Sequence, residues 1–376
     1  MIYLDNAATS FPKPLCVKRA VAESIDKYWA NPGRSGHRAA VEASLAVYGV
    51  REKLAADFGI SKPENTVFTC GATHALNIAV NCAVKPHTRV VTSVLEHNAV
   101  LRPLYRMKKE KGCEISFVGK KGMNNAQILS QIVELVNKNC SAVILTARSN
   151  VTGKELPMRE IGRICRKNGV TFVVDASQAA GYKRINMTEN YIDILCVPSH
   201  KGLLGICGGG AVIFADNAAC DINPLIYGGS GVFSESEDMP SFLPEALEAG
   251  TLPVPAILSM GAGVDYLNAA GWDAAGYRAA ECADAARNYL GNMRGVTLYP
   301  CEGSIVLFNV RGVSPSRVSE LLDIDGIAVR SGLHCAPLYH CELGTLPDGA
   351  VRASFNLFNK KRDAEALAKV VNRIKN

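Results

Sequence analysis

Residues 66–84 read TVFTCGATHALNIAVNCAV, and three signals follow one another within this stretch. TVFT is a short β-rich run, and Gly71 marks a turn. Beyond it Leu76, Ile78, Ala79, Cys82 and Ala83 fall at helical spacing, so the stretch predicts strand, tight turn and helix. Further β-rich runs recur downstream between helical stretches: RVVTSV at 89–94, SAVILT at 141–146, TFVVDA at 171–176, DILCV at 193–197 and AVIFA at 211–215. Several are nearly all apolar, which suits strands of a sheet covered on both faces. The pattern predicts an α/β fold with a largely parallel sheet. Upstream, AAVEASLAVYGVREKLAADFG at 39–59 predicts a helix with Val41, Leu45, Tyr48 and Phe58 on or near one face, stopping at Gly59.

From 216 to 256 the chain is rich in Gly and Pro, as in YGGSG and LPVP, and reads as a loop region near a site. Helical stretches follow around 256–270 and 272–293, then a β-like SIVLFNV, a helical PSRVSELLD and a last helix from about 362. This tail predicts a smaller α+β domain beginning near 257. No internal repeat or low-complexity segment occurs.

A chain of 376 residues can bury a large core, and 48% hydrophobic with 20% charged residues is an ordinary globular balance. No stretch approaches the roughly 20 apolar residues that cross a bilayer, and MIYLDNAATSFPKP lacks the basic end and apolar run of a secretory leader. A cytoplasmic enzyme is expected, with no membrane contact. The net charge of +6 is spread along the chain, apart from short runs such as RMKKEK at 106–111, and does not imply nucleic acid. Thirteen cysteines without C-x-x-C do not form a disulfide framework. Cys82, Cys140, Cys165 and Cys196 sit among apolar residues, where a thiol serves as a small hydrophobe.

The run DILCVPSHKGLLGICGGGAVIF at 193–214 holds His200 and Lys201 at the end of an apolar strand. A lysine so placed can form a Schiff base with a carbonyl cofactor when burial and nearby cations lower its pKa, or it can be the surface lysine of a hairpin. Asp175 ends the strand in VVDASQ, where it could face the same crevice or cap a helix. An aspartate paired with such a lysine is what pyridoxal phosphate requires, because the carboxylate keeps the ring nitrogen protonated. Gly71, Ala72 and Thr73 offer backbone donors and a hydroxyl to a phosphate. His97 in LEHNAV could stack on a ring, shuttle a proton or be polar surface; Asn150 in ARSNVTGKELP is by default a turn residue. The glycines at 208–210 and 228–231 lack nucleotide-loop spacing. His334, Cys335, His340 and Cys341 lack zinc-site spacing, and no metal is expected.

Taken in order, YLDNAATSFPKP, NPGRSGH, GATHALN, LEHNAV, SNVTGKELP, VVDASQAAGY, SHKGLLG, EAGT, RSGLHCAPL and VRASFN resemble the cysteine desulfurases of the class V aminotransferase family, from residue 3 to about 359. The resemblance implies a fold type I enzyme with a seven-stranded, mostly parallel sheet in a large domain, 15–256. A small domain would comprise 1–14 and 257–376. Lys201 would hold pyridoxal 5'-phosphate covalently, Asp175 would pair with its ring nitrogen, Gln178 would bond the ring hydroxyl and His97 would stack on the ring. Asn150 would lie beside cofactor and substrate. Ala72, Thr73 and His200 would bind the phosphate, with Thr251 reaching in from the second subunit of a homodimer. Arg352 would grip the carboxylate of L-cysteine, helped by Arg330, and Cys335 would attack the substrate sulfur to leave alanine and a persulfide.

Two details qualify the resemblance. Pro198-Ser199 stands where many relatives have Ser-Gly or Thr-Gly, so the hydroxyl that binds phosphate in those relatives is displaced by one residue or missing. The segment around Cys335 resembles the short-loop form, which implies a protein or thiol sulfur acceptor. The rival readings are selenocysteine lyase, another aminotransferase or β-lyase of the same fold, and a non-catalytic protein that binds a sulfur carrier.

Overall fold

The computed structural model describes residues 1–136, 139–218 and 220–375. After strand β1 (Ile2–Tyr3) come helices α1 (Leu15–Asp26) and α2 (Arg38–Phe58), then β2 (Thr66–Thr69), α3 (Ala72–Ala83), β3 (Arg89–Ser93) and α4 (Asn98–Lys111). The central part continues with β4 (Glu114–Val118), α5 (Asn125–Leu135), β5 (Cys140–Thr146), α6 (Met158–Asn168), β6 (Thr171–Asp175), β7 (Ile194–Pro198) and β8 (Gly210–Phe214). Helices α7 (Val254–Ala270) and α8 (Trp272–Gly291) lead into β9 (Val296–Leu298), β10 (Ile305–Val310), α9 (Pro315–Ile324), β11 (Ile327–Ala328) and β12 (Arg330–Gly332). The chain closes with α10 (Pro337–Leu343), β13 (Ala350–Ser354) and α11 (Lys361–Ile374).

Seven strands form the main sheet in the order β2-β8-β7-β6-β5-β3-β4. Six of them, β2, β3, β4, β5, β6 and β7, point the same way, and β8 alone is antiparallel, to both its neighbours. The expected fold class therefore holds. The six apolar runs became strands because β2, β5, β7 and β8 are buried along their whole length and helices cover both faces. The seventh strand, β4, gave no such run: it lies at the sheet edge, and in EISFV only Val118 is fully buried. In a parallel sheet the carboxyl ends of successive strands share one edge. That edge brings the ends of β5, β6 and β7 together: Thr146, Asp175 and Cys196 are in register across the sheet, and Pro198 lies two residues further on.

The helical face read for α2 needs correction. Phe58 is buried, but Val41, Leu45 and Tyr48 are exposed. The face turned to the core is instead Ala40, Ala43, Val47, Val50 and Leu54. Small alanines let α2 lie close against the body of the protein, and apolar spacing alone could not tell the two stripes apart. Gly59 ends the helix at φ 75°, as expected.

The second sheet, β12-β13-β10-β9, is antiparallel. It shares a separate core with α8, α9 and α11, in which Leu4, Phe308, Leu322, Phe355 and Leu367 are fully buried. The N-terminal segment belongs to this layer: β1 pairs in parallel with β11, and Asn6 bonds Ser354 O and Asn356. Among the described residues no helix is long and apolar enough to cross a membrane.

Candidate active site

A cavity of about 250 Å³ opens at the carboxyl edge of the main sheet. Gly71, Ala72, Thr73 and His74 line one end, and Asp175, Gln178, His97, Asn150, His200 and Lys201 line the rest. Eight of the expected residues are thus brought together: Ala72, Thr73, His97, Asn150, Asp175, Gln178, His200 and Lys201. Thr251, Arg330, Arg352 and Cys335 do not line it.

Lys201 follows β7 in a turn that only glycine permits next to it: a Cβ on Gly202 would collide with Ala180 O, and one on Gly181 with Gly202 O. Burial lowers the Lys201 pKa from its ordinary value; Arg352 and Arg330 push the same way, and Asp175 opposes them. Asp175 is buried at the end of β6, where Oδ1 accepts from Ser177 N at 2.9 Å. Gln178 donates from Nε2 to Ala7 O at 2.9 Å, tying the cavity wall to the N-terminal segment.

His97 is the N-cap of α4, and its Nδ1 accepts from Ala99 N at 3.0 Å. Burial pushes its imidazole down to about 4, partly offset by Asp175, so the ring is neutral near pH 7. Behind it lies Glu96, which the sequence reading missed. Its Oε1 accepts from Ser93 Oγ at 2.6 Å and Thr146 N at 2.9 Å, and burial raises its carboxyl to about 8.

At the other end of the cavity α3 begins at Gly71 without a side-chain cap. The N–H groups of its first turn and the Thr73 hydroxyl are donors suited to an anion. His200 adds a buried Nδ1 that has no partner, and burial together with Lys201 and Lys13 holds its imidazole down at about 4. Lys13, also missed, reaches His200 O at 2.9 Å and Ser10 Oγ at 2.7 Å. Of the pair Pro198-Ser199 only Pro198 faces the cavity. The Ser199 hydroxyl is buried without a partner, on the side where a Cβ of Gly205 would strike it. An unpaired imidazole nitrogen, open helix donors, a lysine with depressed pKa and a buried aspartate fit pyridoxal 5'-phosphate.

Cys335 opens onto an adjoining recess of about 370 Å³ that shares Thr73, His97 and Ala99 with the first. Both His334 and Cys335 are left-handed, at φ 50° and 57°. Asn150 Nδ2 donates to His334 O, and Asn98 N, in the first turn of α4, donates to Cys335 O, each at 2.7 Å. Arg330 and Arg352 stand directly opposite each other across β12 and β13, so their side chains share one face. Arg352 is buried and donates to Asn150 O at 2.8 Å and to Asp5 Oδ1 at 2.9 Å, while its Nε has no partner. Asp5 was missed because nothing in its local spacing points to a residue 347 positions away. Thr251 is exposed and receives a 3.4 Å bond from Asn31.

Residues 2–367 match the family described as Aminotransferase class-V. Among similar proteins, a probable cysteine desulfurase of Methanothermobacter thermautotrophicus is 30% identical over 99% of this chain and 94% of its own length. A cysteine desulfurase of Haloferax volcanii is 27% identical over 99% of this chain and 88% of its own. Among solved structures, the apo cysteine desulfurase of Thermococcus onnurineus superposes with a TM-score of 0.91 at 29% identity, covering 99% of this chain and 94% of that one.

Proposed function

The chain belongs to the class V aminotransferase family, and from that premise we propose that it is a cysteine desulfurase, converting L-cysteine to L-alanine and passing the sulfur to Cys335 as a persulfide. The observation that carries this reading is the meeting of two sites. The cavity of Lys201 and Asp175 and the recess of Cys335 share Thr73, His97 and Ala99 as a common wall.

Pyridoxal 5'-phosphate, when bound, supplies an electron-withdrawing ring that makes the α-proton and the β-substituent of the amino acid labile. Ala72, Thr73 and His200 would hold its phosphate, Asp175 its ring nitrogen, and His97 would lie beside the ring. Lys201, with its pKa lowered by burial and two arginines, takes the α-proton and later gives it back. Arg352, whose buried Nε has no partner while Asp5 and Asn150 O hold the rest of the guanidinium, is the residue that takes the substrate carboxylate. The Cys335 thiolate attacks the substrate sulfur. An S–S bond forms as the C–S bond breaks, and its electron pair stays on the β-carbon, which becomes the methyl of alanine on protonation.

The division into a large domain over 15–256 and a small one over 1–14 and 257–376 is part of this proposal, as is the homodimer. Exposed Val41, Leu45 and Tyr48, and a Thr251 that lies outside its own chain's cavity, support the dimer. Thirteen unpaired cysteines suit the reducing cytoplasm. The persulfide then needs a protein or small-thiol acceptor. Incubation with L-cysteine is expected to release alanine and to add one sulfur atom to the peptide bearing Cys335, read by mass spectrometry. Alanine without that added mass, or no alanine at all, would refute the reading.

A further inference from the structure

Behind the cysteine turn lie two buried histidines that none of the roles above uses. His334 Nδ1 and His340 Nε2 are 3.1 Å apart, with the rings inclined at 29°. On the far side His340 Nδ1 is 2.7 Å from Thr345 Oγ1, and His334 Nε2 is 3.4 Å from Arg330 O. Both rings are neutral near pH 7: burial, Arg352 and His340 push His334 down to about 2, and burial followed by Arg352 pushes His340 down to about 4.

Between two neutral imidazoles one nitrogen must donate and the other accept. Thr345 Oγ1 also lies 3.1 Å from His340 O; where its proton goes to His340 Nδ1, His340 Nε2–H donates to His334 Nδ1 and His334 Nε2–H faces Arg330 O. Every ring nitrogen then has a partner. The reverse polarity turns the lone pair of His334 Nε2 against the carbonyl of Arg330, which is unfavourable in a buried site. In either polarity His340 Nε2 holds His334 Nδ1, and the chain links Thr345 through His340 and His334 to the backbone of β12.

What it braces is the only pair of consecutive non-glycine left-handed residues among the described ones, His334 and Cys335. Such backbone persists only where its surroundings over-determine it. The carbonyls of this turn are held by Asn150 and Asn98, but the His334 side chain is held by His340 and the weak Arg330 contact. Resting on the desulfurase reading, we propose that His340 is a positioning residue for Cys335: through its Nε2 it fixes the His334 ring, and with it the turn that aims the thiol at the substrate sulfur. His340 touches neither cofactor nor substrate, so its effect falls on the sulfur-transfer step alone.

The test uses the cofactor-loaded enzyme and two readouts. One is alanine formation from L-cysteine, which needs Cys335. The other is exchange of the Cα proton of L-alanine in deuterated water, which needs Lys201 and no thiol. A glutamine side chain can place its amide at the position of the histidine Nε2, whereas asparagine reaches only that of Nδ1. His340→Asn is expected to slow alanine formation about tenfold, the effect of losing one buried hydrogen bond, with KM for cysteine within about twofold and exchange unchanged. His340→Gln is expected to stay within about threefold of the parent. Thr345→Val, a milder change that removes only the far anchor, is expected to show the same split at about twofold to threefold, and it carries the test if His340→Asn does not fold. Equal losses in the Asn and Gln variants, exchange that falls together with alanine formation, or unchanged rates throughout would overturn the proposal. A parent enzyme that forms no alanine from cysteine would instead overturn the desulfurase reading on which the proposal rests.

Discussion

The two halves of the site are built by opposite means. Asp175 and Lys201 follow strands that are buried along most or all of their length, and the parallel ladder alone puts them at one edge of the sheet. Cys335 sits on a left-handed turn after a three-residue strand, held from distant segments by the Asn150 side chain and the Asn98 backbone, and locally by the His334–His340 pair. The cofactor half is held by cooperative backbone hydrogen bonding, whereas the sulfur half depends on individual contacts. The first should therefore tolerate little movement during the reaction. The second can be altered one bond at a time.

The sharpest way to break this contrast is to remove the central residue of each half. Lys201→Ala is expected to lower alanine formation from cysteine by at least about a thousandfold and to abolish Cα exchange of L-alanine with it. Cys335→Ala is expected to lose alanine formation to a similar degree while keeping the exchange. If exchange also vanished in Cys335→Ala, the two halves would not be separable, and the contrast would fail.

A smaller effect is expected at Arg352, which joins the halves because it bonds both Asn150 O and Asp5. Arg352→Lys keeps the charge but loses the planar fork. It is expected to raise KM for cysteine on the order of tenfold to a hundredfold, measured by steady-state kinetics. An unchanged KM would mean that the carboxylate is bound elsewhere.

The smallest expected effect is on stability against pH, followed by thermal melting. His97, His200 and His340 are held at about 4, below the ordinary imidazole value of 6.5. The unfolded chain takes up protons between pH 6.5 and 4 that the folded one refuses, so stability is present above 6.5 and falls as the pH drops through that window. Glu96 works in the opposite direction. Its carboxyl is raised from 4.5 to about 8, so its contribution is present below 4.5 and is lost as the pH rises toward 8. Glu96→Gln should remove the decline on the alkaline side and leave the acid limb intact. An unchanged alkaline limb would show that Glu96 is ionised in the folded protein.

Legibility in the sequence follows the same divide. A strand with helices on both faces must be apolar throughout, and so TFVVD and ILCV announced themselves, and with them the residues at their ends. EISFV did not, because four of its five residues stay at least partly exposed. The stripe of Val41, Leu45 and Tyr48 misled for a related reason: periodicity shows that a helix has an apolar face but not what that face meets. Around Cys335 the signal lay in motif order rather than in local pattern, and His334 and His340 resembled a weak metal site more than a brace.

By itself, then, the amino-acid sequence determined the α/β class, six strands of the main sheet and the residues that converge on the cavity, because burial and helix formation act over short, periodic stretches. Only the tertiary structure decided that Asp5 anchors Arg352, that Glu96 lies behind His97, that Ser199 turns away from the cavity and that His340 stands behind His334. Each of these depends on which segments meet in space or on how a side chain turns within a packed loop, and neither leaves a periodic trace in the chain.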